Sequence, residues 1–80
     1  MELDYTPKFN KNFKKFPKNI REKFYKQVDF LVQDLRYPSL HAKKFDEPTG
    51  TWQARVDKGV RFYFLIEKDI YVLIDIRYHK

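Results

Sequence analysis

Cysteine is missing altogether from this 80-residue chain, so no disulfide staples the fold. The sequence also has no cluster of histidine and cysteine to hold a structural metal, since it carries only two histidines, far apart. No stretch approaches the roughly 20 consecutive apolar residues of a membrane span. The opening Met1-Glu2-Leu3-Asp4-Tyr5 has neither the basic region nor the apolar run of a secretory signal. The expectation is therefore a cytoplasmic protein with no membrane partner and no cofactor. Acidic residues are scarce, with 11 Asp and Glu against 17 Lys and Arg and a formal net charge of +6. A surplus of that sign attracts polyanions but does not specify a fold. By itself it leaves a nucleic-acid partner and a merely basic surface equally open.

What the chain does have is aromatic area. Phe, Tyr and Trp make up 19% of the residues, and each buries much surface for little entropy. A single domain spanning residues 1–80 has to rely on this, because a chain of such length buries only roughly 60–65% of its unfolded surface. Small unstapled domains often lean on a partner.

Leu3-Asp4-Tyr5 alternates and reads as a minor strand at a sheet edge. Thr6-Pro7 then reads as a helix start, with Thr as N-cap and Pro at the first helical position. Phe9, Phe13 and Phe16 form one apolar stripe opposite Lys8, Lys11, Lys14 and Lys15, until Pro17 breaks the helix. A second helix is expected from about Lys18 to Arg36, carrying Ile20, Phe24, Val28, Leu31, Val32 and Leu35 at a 3.6-residue period. Tyr37-Pro38 ends it, because the residue before a proline is pushed out of helical space. The two helices should form an antiparallel hairpin.

From Thr51 the period becomes two. Trp52, Ala54 and Val56, then Val60, Phe62, Phe64 and Ile66, then Ile70, Val72, Ile74 and Ile76 all fall at even positions. Three strands in a meander result, with the even-numbered face under the helices. Cross-strand partners share a face, so a three-residue loop, Asp57-Lys58-Gly59, is expected to pair Val56 with Val60 and to place Gly59 in the left-handed region. That register sets Arg55 opposite Arg61. A matching loop at Glu67-Lys68-Asp69 would set Asp75 on the other side of Arg61. Arg77 and His79 continue the odd-numbered face toward the same end as Arg55 and Arg61. Such a cluster suits a phosphate, since the planar guanidinium binds its oxygens bidentately and stays charged. The competing reading is that Asp57 and Asp75 neutralise the arginines as surface ion pairs. His79 is the one group there that titrates near neutrality without perturbation, which fits a proton shuttle.

The words Tyr37-Pro38-Ser39-Leu40-His41-Ala42-Lys43-Lys44-Phe45, Thr49-Gly50-Thr51-Trp52-Gln53-Ala54-Arg55-Val56 and Val60-Arg61-Phe62-Tyr63-Phe64 together resemble the RelE/ParE superfamily of toxins from toxin–antitoxin modules. The β-α-α-β-β-β order, an α+β fold with two helices on one face of a small antiparallel sheet, resembles that family along nearly the whole chain. The resemblance implies a ribosome-dependent mRNA endonuclease without a metal, in which the RNA 2′-hydroxyl attacks its neighbouring phosphate. It implies an antitoxin protein, the ribosome and mRNA as partners. It casts Arg55, Arg61 and His79 as catalytic, with Lys43 and Lys44 in a basic loop facing RNA and Lys58 and Arg77 joining them. Two alternatives stay open: a non-catalytic toxin inhibiting a protein such as DNA gyrase, and an inactive RNA-binding relative. Gln53 stands where the pattern often has Glu, and Arg77 where it commonly has Gly. The sequence reaches Lys80 without the Tyr or Phe that stacks on a base in several members, so a weaker grip on RNA is expected, by about 1–3 kcal/mol. Tyr63 and Tyr71 are the expected substitutes on the open face.

Overall fold

The computed structural model describes residues 1–79. Strand β1 (Glu2–Tyr5) leads into helix α1 (Pro7–Phe13), helix α2 (Lys18–Gln33), a short 3-10 turn (Pro38–Leu40) and strands β2 (Lys43–Asp46), β3 (Thr51–Asp57), β4 (Val60–Glu67) and β5 (Ile70–Tyr78). The described residues form a five-stranded sheet in the order β1-β5-β4-β3-β2. All neighbours run antiparallel except β1, which lies parallel to β5 at the edge. The edge strand, the two helices and the meander agree with the sequence. The sheet gains a strand, however, because Lys43–Asp46 is β2 and not a loop.

Thr6 caps α1 as expected: its hydroxyl accepts from the Phe9 N–H at 3.1 Å, and Pro7 opens the helix. The same hydroxyl donates to the Leu73 carbonyl at 3.1 Å, which ties the helix start to β5. Phe9 and Phe13 stack on each other at 5.4 Å, and both rings meet Phe24 of α2, at 5.2 and 5.1 Å. Phe24 in turn meets Phe62 on the sheet edge-to-face at 5.2 Å, so this one aromatic chain joins both helices to β4.

α2 stops at Gln33, three residues short of the expected Arg36. Asp34 is extended, and its carboxylate accepts the Arg36 N–H at 2.9 Å. This local side-chain bond competes with continuing the helix. Phe30 and Tyr37 then stack face to face at 3.9 Å across the break.

Both hairpins depart from the expected loops. The first closes with a two-residue turn, Lys58-Gly59, pairing Asp57 with Val60, and Gly59 lies outside the left-handed region. Arg55 still faces Arg61, because Val56 is an extra residue bulged from β3 that restores the register. The second also closes in two residues, with Lys68 left-handed at φ 54°, and β5 carries a bulge at Ile74. Beyond that bulge Tyr63 faces Asp75 and Arg61 faces Arg77. The expected pairing of Arg61 with Asp75 is therefore wrong by two residues. On the turn side of the bulge the faces swap, so Tyr71 and Leu73 join the core with Ile76 while Val72 and Ile74 do not.

Candidate functional site

Arg55, Arg61 and Arg77 stand abreast on three adjacent strands, on the face away from the core. One row along the strands, Lys43, Gln53, Tyr63 and Asp75 stand abreast on four. The β4–β5 ladder runs past Tyr78, where the His79 N–H donates to the Gly59 carbonyl at 2.8 Å and keeps His79 beside the first hairpin. On the other flank the 3-10 turn ends in His41, which is left-handed at φ 47° and carries the chain into β2.

These elements enclose a cavity of about 420 Å³ lined by His41, Ala42, Lys43, Gln53, Arg55, Arg61 and His79. Among the described residues no carboxylate lines it. Both histidines of the chain do. Of the two acids expected to neutralise the arginines, Asp57 turns to Lys23, while Asp75 does pair with one of them, Arg77, which lies outside the cavity lining. Asp57 meets Lys23 at 3.3 Å and accepts the Gly59 N–H at 2.9 Å. Asp75 meets Arg77 at 3.2 Å and Lys8 at 3.5 Å. Among the described residues the Arg55 guanidinium has no hydrogen bond or ion pair, so the cavity keeps its positive charge.

Arg61 is not simply a surface cation. It is only 8% exposed. Its Nη1 donates to the carbonyls of Asp57 at 2.9 Å and Lys58 at 3.0 Å, with Val60 further off at 3.4 Å. The guanidinium thus holds the β3–β4 turn with one nitrogen while lining the cavity. Arg55 is set from behind. Its strand runs past the start of β2, and its carbonyl is taken by the buried Gln27 side chain at 2.8 Å. Gln27 also donates to the Ser39 carbonyl at 3.1 Å and accepts from the Ser39 hydroxyl at 2.9 Å. One α2 side chain therefore fixes both the Arg55 strand and the turn that leads to His41.

Of the residues singled out from the sequence, Arg55, Arg61, His79 and Lys43 come together. Lys44 does not, because strand alternation turns it to the opposite face, where its ammonium sits 5.5 Å from the Trp52 ring and 3.5 Å from Glu47. Lys58 is exposed in the first turn and Arg77 lies over Tyr63 at 4.3 Å, both outside the cavity lining. Tyr71 lies in the core and Tyr63 is covered, so neither offers an open ring face. His41 went unmarked; its signal was the short Tyr37-Pro38-Ser39-Leu40 turn that delivers it beside Lys43.

No protein-family model matches the sequence, and no curated protein matches it either. Solved structures do match the fold. The YoeB/ParE toxin from Agrobacterium tumefaciens has a TM-score of 0.82 at 15% identity, over 100% of both chains. YafQ from E. coli strain BL21(DE3) has a TM-score of 0.80 at 14% identity, over 98% of this chain and 92% of that one. The fold is that of these toxins. A RelB–RelE antitoxin–toxin complex from Methanococcus jannaschii shares it too, with a TM-score of 0.75 at 16% identity over 94% of this chain and 88% of that one. The RelE/YoeB-like architecture expected from the sequence is thus present, with one more strand in the meander than the expected order contained. No helix among the described residues is long and apolar enough to cross a membrane.

Proposed function

We propose that this chain is the toxin of a toxin–antitoxin pair and acts in the cytoplasm as a ribosome-dependent mRNA endonuclease. The observation that carries the reading is the cavity in which two arginines, a lysine and both histidines meet, with no carboxylate among the described residues that line it. An RNA phosphodiester suits it. The 2′-hydroxyl attacks the adjacent phosphorus, a bond forms to that oxygen, and the bond to the 5′-oxygen breaks. One histidine accepts the hydroxyl proton and the other returns a proton to the leaving oxygen. Arg55 and the outward edge of Arg61 stabilise the charge that builds on the phosphoryl oxygens, usually the largest contribution in such chemistry. Lys43 tracks the neighbouring backbone. An antitoxin that covers this basic face silences it; solved structures of the same fold include toxin–antitoxin complexes.

Arg55→Ala is the test. It should abolish growth inhibition and lower cleavage by about 10²–10³, the cost of one transition-state donor. Primer extension on ribosome-bound mRNA reads the cuts. A variant that cuts as well as the native protein removes the cavity from the chemistry. A native protein that arrests growth with mRNA intact points instead to the alternative, a toxin acting on a protein target.

A further inference from the structure

A second concave region lies one register row from the phosphate cavity, on the same open face. It encloses about 280 Å³ and is walled by Phe45, Tyr63, Asp75 and Arg77 among others. Arg77 lies over the Tyr63 ring with its guanidinium carbon 4.3 Å from the ring centre. Tyr63 is 6% exposed, so that ring has no open face of its own. Arg77 is held there by an ion pair, with Nε 3.2 Å from Asp75 Oδ2. Asp75 is itself fixed. Its Oδ1 accepts from the Asn12 amide at 2.7 Å and from the Ile76 N–H at 2.9 Å, and Lys8 approaches Oδ2 at 3.5 Å. The Arg77 side chain nevertheless remains 52% exposed. Beside it Phe45 is 53% exposed and meets Tyr63 edge-to-face at 4.9 Å.

The geometry points to a nucleobase subsite: the outward face of Arg77, backed by Tyr63 and flanked by Phe45, stacks the base of the nucleotide next to the phosphate held at Arg55 and Arg61. This rests on the reading of the chain as an RNA-cleaving protein. A flat neutral ligand fits better than a second phosphate, because Asp75, 3.2 Å from Nε, already offsets the guanidinium charge and would repel an anion. About half of the Arg77 side chain is open to such a ligand, and guanidinium planes and aromatic rings are the surfaces on which unpaired RNA bases stack. The spacing is also suitable. Arg77 faces Arg61 directly in the ladder, so base site and phosphate site sit on adjacent strands, about 5 Å apart in the backbone. Arg77 thereby supplies a stacking platform from within the sheet.

The experiment uses the full chain and a short single-stranded RNA with 2′-O-methyl groups throughout, so that binding is read without cleavage. 2-Aminopurine is placed at successive positions, and affinity is read by anisotropy. The native protein should quench the probe at one position, and an abasic residue there should weaken binding about tenfold, as expected for one stacked base. Arg77→Lys keeps the charge and loses the plane. It should bind about tenfold more weakly, lose the position-specific quench and become indifferent to the abasic residue. Phe45→Ser, on an exposed edge strand, should weaken the same position and no other. Equal quenching by Arg77→Lys, or an abasic penalty the same in both proteins, overturns the base subsite while leaving the phosphate reading intact. Native protein that gives no position-specific quench at any position also overturns the base subsite, while the phosphate reading is decided separately by primer extension on ribosome-bound mRNA.

Discussion

Arg61→Ala separates what this arginine does for the fold from what it does in the cavity. Its Nη1 has two hydrogens and two good acceptors, the carbonyls of Asp57 and Lys58 at 2.9 and 3.0 Å. Hydrogen bonds from a charged donor contribute roughly 1.5–3 kcal/mol where they are buried, and less at a turn whose carbonyls reach water. We take about 2–3 kcal/mol for the two together. Against this stand the like charges on both sides, Arg55 and Arg77, whose direct apposition costs roughly 0.2–1 kcal/mol each. Removing the side chain loses the first contribution and relieves the second, for a net destabilisation of about 1–2 kcal/mol. In a domain of this size that lowers the melting temperature by roughly 5–15 °C. Arg55→Ala behaves oppositely: it relieves repulsion without breaking a hydrogen bond among the described residues, so its melting temperature should hold or rise slightly. Circular dichroism melts of both variants at low and moderate salt decide the matter. An Arg61→Ala protein that melts at or above the native temperature refutes the turn-holding role and leaves repulsion as the dominant effect.

Gln27→Leu should cost about 2–4 kcal/mol in urea denaturation, because it leaves the carbonyls of Arg55 and Ser39 without their donor, and an unchanged midpoint would remove Gln27 from the support of the site. Gly50→Ala should cost about 1 kcal/mol, since Gly50 sits at φ +73°, whereas Gly59→Ala should stay within about 0.5 kcal/mol because its added methyl meets only Asp57 Oδ1 at 3.9 Å. The reverse order in thermal melts would place the left-handed glycine in the first hairpin after all. At alkaline pH, burial first, then Tyr25 and Asp29, raise the Tyr5 pKa above 10.0, and burial first, then Asp34, raises that of Tyr71. The native state then keeps protons that the unfolded chain releases, so stability falls as the pH climbs past about 10. Tyr5→Phe with Tyr71→Phe should flatten that fall in melts across about pH 9–11, and an unchanged slope would assign it to other groups.

The parts of the fold legible in the sequence are those fixed by short-range chemistry. Thr6-Pro7 starts α1 because the cap and the missing N–H both act within one turn, and the Phe9–Phe13 stripe follows from the helical period. β3 and β4 show themselves because their even positions are all apolar and their odd positions, Tyr63 and Leu65 apart, are polar. β2 gives no such signal, since Lys43, Lys44 and Phe45 are all exposed at the sheet edge and burial imposes no alternation on them. His41 was hidden for a related reason: a left-handed residue after a three-residue turn has its direction set by backbone geometry, which no side-chain period records.

β5 shows why the charge balance of the site was harder to read than its residues. From Ile70 to Ile74 every side chain is apolar, so a one-residue slip exposes nothing polar to the core and the pattern does not say which face is which. The bulge at Ile74 uses that tolerance. It lets Tyr71 and Leu73 fill the core on one side and Ile76 on the other. The extra residue, added to the shorter turn, carries Asp75 one row away from Arg61 and brings Arg77 into its place. An acid that would have half-neutralised the cavity instead clamps Arg77 against Tyr63. Removing Ile74 would straighten the strand and leave Leu73 opposite Phe64, Ile76 opposite Phe62 and Arg77 opposite Arg61, with the same residues in the core. The bulge absorbs this one extra residue without disturbing either half of the strand, and the register beyond it sets Arg77, not Asp75, opposite Arg61.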